Sequence, residues 1–163
     1  MRPIRVLLTV AFLVGAGISA QAQTANPPGA GIEFIGVPKS PIALTTADLA
    51  KLPSVEQDIT FKTSKGVQTG HYKGPLLWEV LQANKVLDGL EHNKELTKTL
   101  LVTAEDDYQI AFSIGEISPE FGNAMILVAL EVDGKPLEKP RIVAQGDKRG
   151  ARAVRDVIKI ELR

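Results

Sequence analysis

Short stretches of alternating apolar and polar residues, set apart by turn residues, restrict the fold of this chain more than any other feature. QDITFKT and VQTGHY flank the turn SKG, and TLLVTA and YQIAFSI flank an acidic turn at Glu105–Asp107. The apolar stretch AMILVALEV ends at Asp133-Gly134, a dipeptide typical of two-residue hairpin turns. Such alternation is typical of half-buried strands. We therefore expect several short strands joined mainly by hairpins.

Helical signals are confined to two short stretches. KGPLLWEVLQANKV has apolar residues on one helical face, and Gly74-Pro75 predicts that Pro75 occupies the first helical position. LTTADLAKLP has Thr45 followed by Asp48 in a capping pattern, which predicts a second, shorter helix that stops near Pro53.

Three further strands complete the pattern, one over Ile32–Val37, one in RIVA and one in DVIKIEL near the C-terminus. In DVIKIEL we expect the apolar face to consist of Ile158, Ile160 and Leu162. Many short strands with few and short helices predict an α+β domain. Its sheet should be mostly antiparallel and partly barrelled or sandwiched.

The N-terminus reads as a secretory signal. In MRPIRVLLTVAFLVGAGISAQAQ a short basic start precedes an apolar run over Val6–Ile18, and Ala20-Gln21-Ala22 offers small residues to a signal peptidase. The run is short for a membrane span, although a membrane-anchoring helix is the alternative. We predict a signal peptide over residues 1–22 cleaved after Ala22, a flexible leader over 23–31 and one domain over 32–163. The expected location is periplasmic or secreted, with no membrane span after cleavage.

Composition excludes several kinds of partner and site. Lys and Arg together number 19, as do Asp and Glu, and this balance argues against nucleic acid as the main partner. The sequence contains no cysteine, which excludes disulfides and thiolate metal sites. Only two histidines are present, so we expect no zinc site.

Three stretches, in this order, resemble a known family. HYKGPLLWEVL, VTAEDDYQIAFSIGEI and VALEVDGKPLEKPRIVAQGDKRGARAVRDVIKIEL are similar to elements of the sulfite-oxidase-type molybdopterin-binding domain. The resemblance covers about Ile32 to Leu162. It implies that fold and, for enzymes of the family, a molybdopterin-dependent oxidoreductase. Fold alone does not give the activity.

The chain departs from the family in two ways. The resemblance places the family's molybdenum-ligating cysteine near Lys62–Ser64, where no cysteine stands, although Thr63 or Ser64 offers a hydroxyl oxygen. Family enzymes typically leave the cytoplasm folded through a twin-arginine signal, whereas Arg2 and Arg5 are separated here. Both departures predict that the fold is kept without the metal. We expect no cofactor, with molybdopterin the possibility that the resemblance leaves open.

QGDKRGARAVRD, residues 145–156, is the candidate binding loop. The resemblance implies that this loop lies close to the pterin and its phosphate, and Arg152 and Arg155 match the family's arginine and lysine. Arginine donates paired, charged hydrogen bonds that suit a phosphate. The alternative is a solvated loop in which Arg152 and Arg155 pair with Asp147 and Asp156. The residues proposed to bind a small polar or anionic ligand are Lys148, Arg149, Arg152, Arg155 and His71.

Three other residues have two interpretations each. His71 is either a proton carrier near the cleft or a surface residue of a strand. Tyr108 is either a hydroxyl lining the cleft or a sheet aromatic at a turn, and Trp78 is best read as a core anchor. No sequence motif for a catalytic nucleophile and base is present, so we name no catalytic residue.

Three functions follow as hypotheses. The first is a binding module without molybdenum that holds a small ligand or a partner protein. The second is a molybdopterin-dependent oxidoreductase that holds its cofactor without a cysteine ligand. The third is an interaction domain for a membrane redox partner, which a broad apolar patch without a cleft would favour.

Overall fold

The structure, a computed structural model, describes residues 31–36, 41–91 and 93–163. The predicted signal peptide, residues 23–30 of the predicted leader, and His92 lie outside these ranges. The elements in chain order are β1 (Gly31–Ile35), β2 (Ile42–Thr45), α1 (Thr46–Leu49), β3 (Ser54–Thr63), β4 (Gly66–Pro75), α2 (Leu77–Ala83), a 3₁₀ turn (Lys94–Thr97), β5 (Thr99–Ala104), β6 (Gln109–Ser113), α3 (Ile114–Ile117), β7 (Ile126–Val132), β8 (Lys135–Ala144), a 3₁₀ turn (Gly150–Arg152) and β9 (Val157–Leu162).

The described strands form two sheets. One has the order β2-β1-β9-β5-β6 and the other the order β3-β4-β7-β8. Neighbouring strands are antiparallel, except that β1 and β9 run parallel. The predicted fold class, a mostly antiparallel α+β domain with few short helices, is confirmed.

Local turn chemistry produces the predicted hairpins and the first helix. Asp133 and Gly134 join β7 to β8 with φ angles of 52° and 73°, as a two-residue hairpin turn requires. At the start of α1 the Asp48 amide donates to the Thr45 hydroxyl at 3.1 Å, and the Thr45 amide donates to the Asp48 carboxylate at 3.2 Å. This is the predicted capping box.

The predicted start of the long helix is wrong. Pro75 is the last residue of β4, where it pairs with Ser54, and α2 begins at Leu77. A Cβ on Gly74 would lie 2.1 Å from the carbonyl oxygen of Val128, so the backbones of β4 and β7 touch here. This close approach keeps the chain extended past the proline and delays the helix.

The predicted inward position of Ile158 is also wrong. A bulge shifts the β5–β9 register, so that Ala104 pairs with Val157 while Thr103 pairs with Lys159. Ile158 is skipped and stays exposed, and Val157 is buried in its place.

The larger core lies between the two sheets and beneath α2. It contains buried residues of β1, α2, β5, β6, β7, β8 and β9, and the half-buried Trp78 packs against it. A second cluster lies on the other face of the β3-β4-β7-β8 sheet. Its buried members are Ile59, Phe61, Tyr72, Leu127, Ala129 and Val143.

Residues 148–154, called here the closing segment, curl the β3-β4-β7-β8 sheet around this second cluster. Arg149 forms a bridge with Lys62 on the free edge of β3, and Val154 forms a bridge with Ile142 on the free edge of β8. Arg149 lies one strand spacing beyond β3, Val154 lies one beyond β8, and three spacings separate β3 from β8. In a flat sheet Arg149 and Val154 would therefore be about five strand spacings apart, roughly 24 Å. Five residue steps span at most about 18 Å. The sheet is therefore curved, with the closing segment covering both of its edges.

Candidate functional site

Two depressions lie beside the closing segment, and the 3₁₀ turn at Gly150–Arg152 stands between them. The Lys62 depression, of about 500 Å³, is lined by Lys62, Thr63, Ser64, Arg149, Gly150 and Ala151. The Arg155 depression, of about 400 Å³, is lined by Ala104, Glu105, Asp106, Tyr108, Ala153, Val154, Arg155 and Asp156. The basic loop is therefore not one site: its cations are divided between two surfaces.

Arg152 is committed to internal ion pairs. Its Nε and Nη2 donate to the two carboxylate oxygens of Asp147 at 2.9 and 2.6 Å, and its Nη1 donates to Glu116 at 2.7 Å. Its guanidinium also lies 4.9 Å from the centroid of the Phe112 ring. The hydrogen bonds to Asp147, and then those to Glu116, raise the pKa of Arg152 well above its usual value. Arg152 thus ties the closing segment to α3.

Arg155 stands opposite another arginine that the sequence reasoning missed. Because Ile142 bridges Val154 in antiparallel fashion, Arg141 and Arg155 are cross-strand neighbours. Within the described residues, neither guanidinium has a carboxylate within 4.0 Å, so the predicted pairing of Arg155 with Asp156 does not form at ion-pair distance. Two arginines therefore occupy neighbouring positions on the same face, without a carboxylate at ion-pair distance among the described residues.

The environment of Arg141 is unusual for a surface arginine. Its guanidinium lies 5.4 Å from the centroid of the Tyr72 ring. Its Nε is buried and has no hydrogen-bond partner among the described residues. Burial lowers the pKa of Arg141, and nearby Arg155 lowers it further against the opposing effects of Tyr72 and Asp156. One sequence feature could have indicated Arg141: it is the arginine of KPRIVA, inside a stretch that resembles the family.

The remaining polar groups of the Arg155 depression are largely engaged. The Tyr108 hydroxyl donates to the carbonyl of Ala151 at 2.8 Å, while the Tyr108 amide donates to Asp106 at 3.2 Å. Glu105 pairs with Lys139. The hydroxyl of Tyr108 thus holds the closing segment against the β5–β6 turn.

Lys148 and Arg149 lie at the other end of the closing segment. The Lys62 amide donates to the carbonyl of Lys148 at 3.0 Å, which fixes the segment to β3. A Cβ on Gly150 would lie 2.6 Å from the Phe61 ring, so only glycine fits where the segment crosses β3. Arg149 and Lys62 therefore line the same depression.

His71 is separate from both depressions. It lies on the solvent-facing side of the β3–β4 hairpin, with Nδ1 2.7 Å from Asp58 and Nε2 3.3 Å from Glu56. These two carboxylates, Asp58 first, raise the pKa of His71. Lys73 pairs with Glu56 at 2.8 Å and extends this cluster of charges. The structure thus places His71 in a surface ion-pair cluster, apart from Lys148, Arg149 and Arg155.

The residues near Lys62–Ser64 do not fit a molybdenum ligand set. The Thr63 hydroxyl donates to the carbonyl of Gly66 and accepts from the Lys65 amide, so it is occupied by its own turn. Lys62 and Arg149 bring positive charge to this place, and the sequence offers no thiolate. Across the described residues, no group of three or more His, Cys, Asp or Glu side chains is placed to hold a metal ion.

No protein-family model matches the sequence, and no curated protein is similar to it. Among solved structures, the crystal structure of the sulfane dehydrogenase SoxCD from Paracoccus pantotrophus is similar to this chain. The TM-score is 0.63, the identity is 16%, and the match covers 81% of this chain but 37% of that one. The chain thus corresponds to well under half of that protein. This likeness supports the predicted sulfite-oxidase-like fold and shows the fold alone.

A membrane-spanning helix is not among the elements that the structure describes, because none of those helices has the required length and apolar character.

Proposed function

We propose that this protein is an exported binding module with a sulfite-oxidase-like fold that holds a small phosphate-type anion between Arg141 and Arg155, without molybdenum. The observation that carries the proposal is the opposition of these two guanidinium groups, with no close carboxylate among the described residues. The depression beside this pair is lined by Arg155 but not by Arg141, and it gives a small ligand room next to Arg155.

The electrostatics of this pair favour an anion. Like charges directly opposite each other on paired strands are destabilising, and a bound anion converts this repulsion into two charge-assisted attractions. The buried Nε of Arg141 has no acceptor in the described chain, and an unmade buried hydrogen bond carries a desolvation cost. An oxyanion that accepts from the guanidinium groups of Arg141 and Arg155 removes the repulsion between them.

Phosphate-type oxyanions match this donor arrangement best. Two guanidinium groups offer several N–H donors in planar forks, which suit the several oxygens of a phosphate. Of the three acidic residues that line the Arg155 depression, Glu105 pairs with Lys139 and Asp106 accepts from the Tyr108 amide, which limits their repulsion of such a ligand; Asp156 is the third. The phosphate group of a pterin has the same chemistry, but the residues near Lys62–Ser64 do not supply a molybdenum ligand. We therefore propose binding through the anion, and no oxidation step.

The test uses 15N-labelled protein and inorganic phosphate, with sodium chloride at matched ionic strength as the reference. We expect saturable shifts of the Nε–H signals of Arg141 and Arg155, and their loss in Arg155→Gln. Arg163→Gln, at an exposed arginine elsewhere, serves as the control and should bind as the parent does. Equal responses to phosphate and chloride, or unchanged binding in Arg155→Gln, would overturn the proposal.

Two further measurements test the rest of the proposal. N-terminal sequencing of the exported protein should begin at Gln23, and a protein that begins at Met1 would refute the signal peptide. Metal analysis and pterin fluorescence on the same material should show no stoichiometric molybdenum. Stoichiometric molybdenum would instead support the oxidoreductase hypothesis.

A further inference from the structure

The Lys62 depression continues along β3 into a second hollow. This neighbouring hollow, of about 450 Å³, is lined by Thr60, Phe61, Lys62, Val67, Lys148 and Arg149. Both hollows share Lys62 and Arg149, so the two hollows meet at the bridge between these residues and form one groove. We call the two hollows together the β3 groove.

The β3 groove carries uncompensated positive charge. Lys62, Lys148 and Arg149 line it, and no lining residue is acidic. Among the described residues, none of these three cations lies within ion-pair distance of a carboxylate. Asp147, their acidic neighbour in sequence, is held by both oxygens on Arg152 and is not free to turn towards them.

The two ends of the β3 groove differ in polarity. On one side of the bridge between Lys62 and Arg149 lie the small side chains of Thr63, Ser64 and Ala151. On the other side lies Val67, which is 64% exposed although it is a large apolar residue. An exposed aliphatic side chain beside a cluster of cations matches a ligand that has both an apolar body and a negative charge.

We propose that the β3 groove binds a small organic acid, whose carboxylate is held by Lys62 and Arg149 and whose apolar body rests on Val67. The guanidinium of Arg149 binds the carboxylate in its planar fork, and Lys62 and Lys148 add charge. This site is distinct from the phosphate-type site at Arg141 and Arg155. It occupies the place where the family resemblance puts a metal ligand, so the chain has a cationic organic-acid site where a thiolate would stand.

The test compares three probes on the 15N-labelled protein at neutral pH: benzoate, acetate and benzyl alcohol. Benzoate should shift the amide signals of Lys62, Val67 and Arg149 in a saturable way. Acetate lacks the apolar body and should bind at least about tenfold more weakly. Benzyl alcohol lacks the charge and should not saturate. Equal affinity for benzoate and acetate, or saturable binding of benzyl alcohol, would overturn the proposal.

Variants separate this site from the phosphate-type site. Arg149→Gln and Val67→Thr should each weaken benzoate binding by about tenfold or more while phosphate still shifts Arg141. Lys135→Gln, at the exposed first residue of β8, is the control and should leave the binding of both ligands unaffected. Benzoate binding that survives Arg149→Gln but is lost in Arg155→Gln would show that the acid uses the other site and would refute the β3 groove. If the parent protein binds benzoate but not phosphate, only the proposed function is refuted.

Discussion

Replacement of Arg152 tests whether this arginine is a structural tie or a ligand contact. In Arg152→Met the long side chain keeps much of its packing on Phe112, but three charged hydrogen bonds are lost. Asp147 loses the partner of both its oxygens, and Glu116 loses one. The closing segment then keeps its other attachments to β3 and β8.

The expected loss in the free energy of unfolding lies between the values typical of exposed ion pairs and of buried ion pairs. Exposed pairs contribute about 0–1 kcal/mol, whereas removal of one partner from a buried pair costs about 3–5 kcal/mol. The side chains of Arg152, Asp147 and Glu116 are 34%, 21% and 32% exposed, so solvent screens the pairs only in part. We expect Arg152→Met to lower the free energy of unfolding by about 2 kcal/mol.

Urea unfolding followed by the fluorescence of Trp78 measures this change. Arg155→Met is the matched control, because Arg155 is exposed and forms no ion pair among the described residues. It should change stability by less than about 0.5 kcal/mol but weaken phosphate binding. If Arg152→Met leaves stability unchanged and abolishes phosphate binding, Arg152 is a ligand contact and the structural assignment is refuted.

Two other predictions concern the crossing of β3 and the surface histidine. Gly150→Ala should destabilise the protein by about 1–3 kcal/mol because its methyl meets the buried Phe61 ring. Gly115→Ala, at a helical glycine where a Cβ would meet the end of the Leu96 side chain at 3.4 Å, should be neutral or stabilising in the same urea assay. In an NMR titration the pKa of His71 should exceed 6.5 and fall in Asp58→Asn. Because this pKa is raised by folding, the associated stability is fully present below pH 6.5 and is lost as pH rises through the folded-state pKa. An unshifted His71 would contradict the ion-pair geometry.

Local rules made the hairpins and the first helix predictable from sequence. The φ angles that Asp133-Gly134 favours and the reciprocal bonds of Thr45 and Asp48 depend on neighbouring residues only. The start of α2 and the face of Ile158 depend instead on contacts with distant strands. The approach of Gly74 to β7 and the bulge at Ile158 in β9 leave no local signature.

The candidate site was predicted in part, because a run of cations in sequence does not remain together in space. In the closing segment Arg149 turns to β3 and Arg152 pairs with Asp147 and with α3, whereas Arg155, directly after the segment, lies beside β8. The proposed anion site needs Arg141 as well as Arg155, and Arg141 lies on another strand, β8. Only the bridge between the closing segment and β8 reveals that opposition. His71 is the first residue of the family-like stretch HYKGPLLWEVL, but its position on β4 places its side chain on the outer face of the hairpin.

The position of β9 sets an order on folding. It comes after every other described strand along the chain, yet it lies in the middle of its sheet, between β1 and β5. The closing segment, which immediately precedes it, is likewise needed before the β3–β4 hairpin is covered. The β2-β1-β9-β5-β6 sheet is therefore not complete until β9 has paired with both β1 and β5, and long-range pairing of this kind is slow.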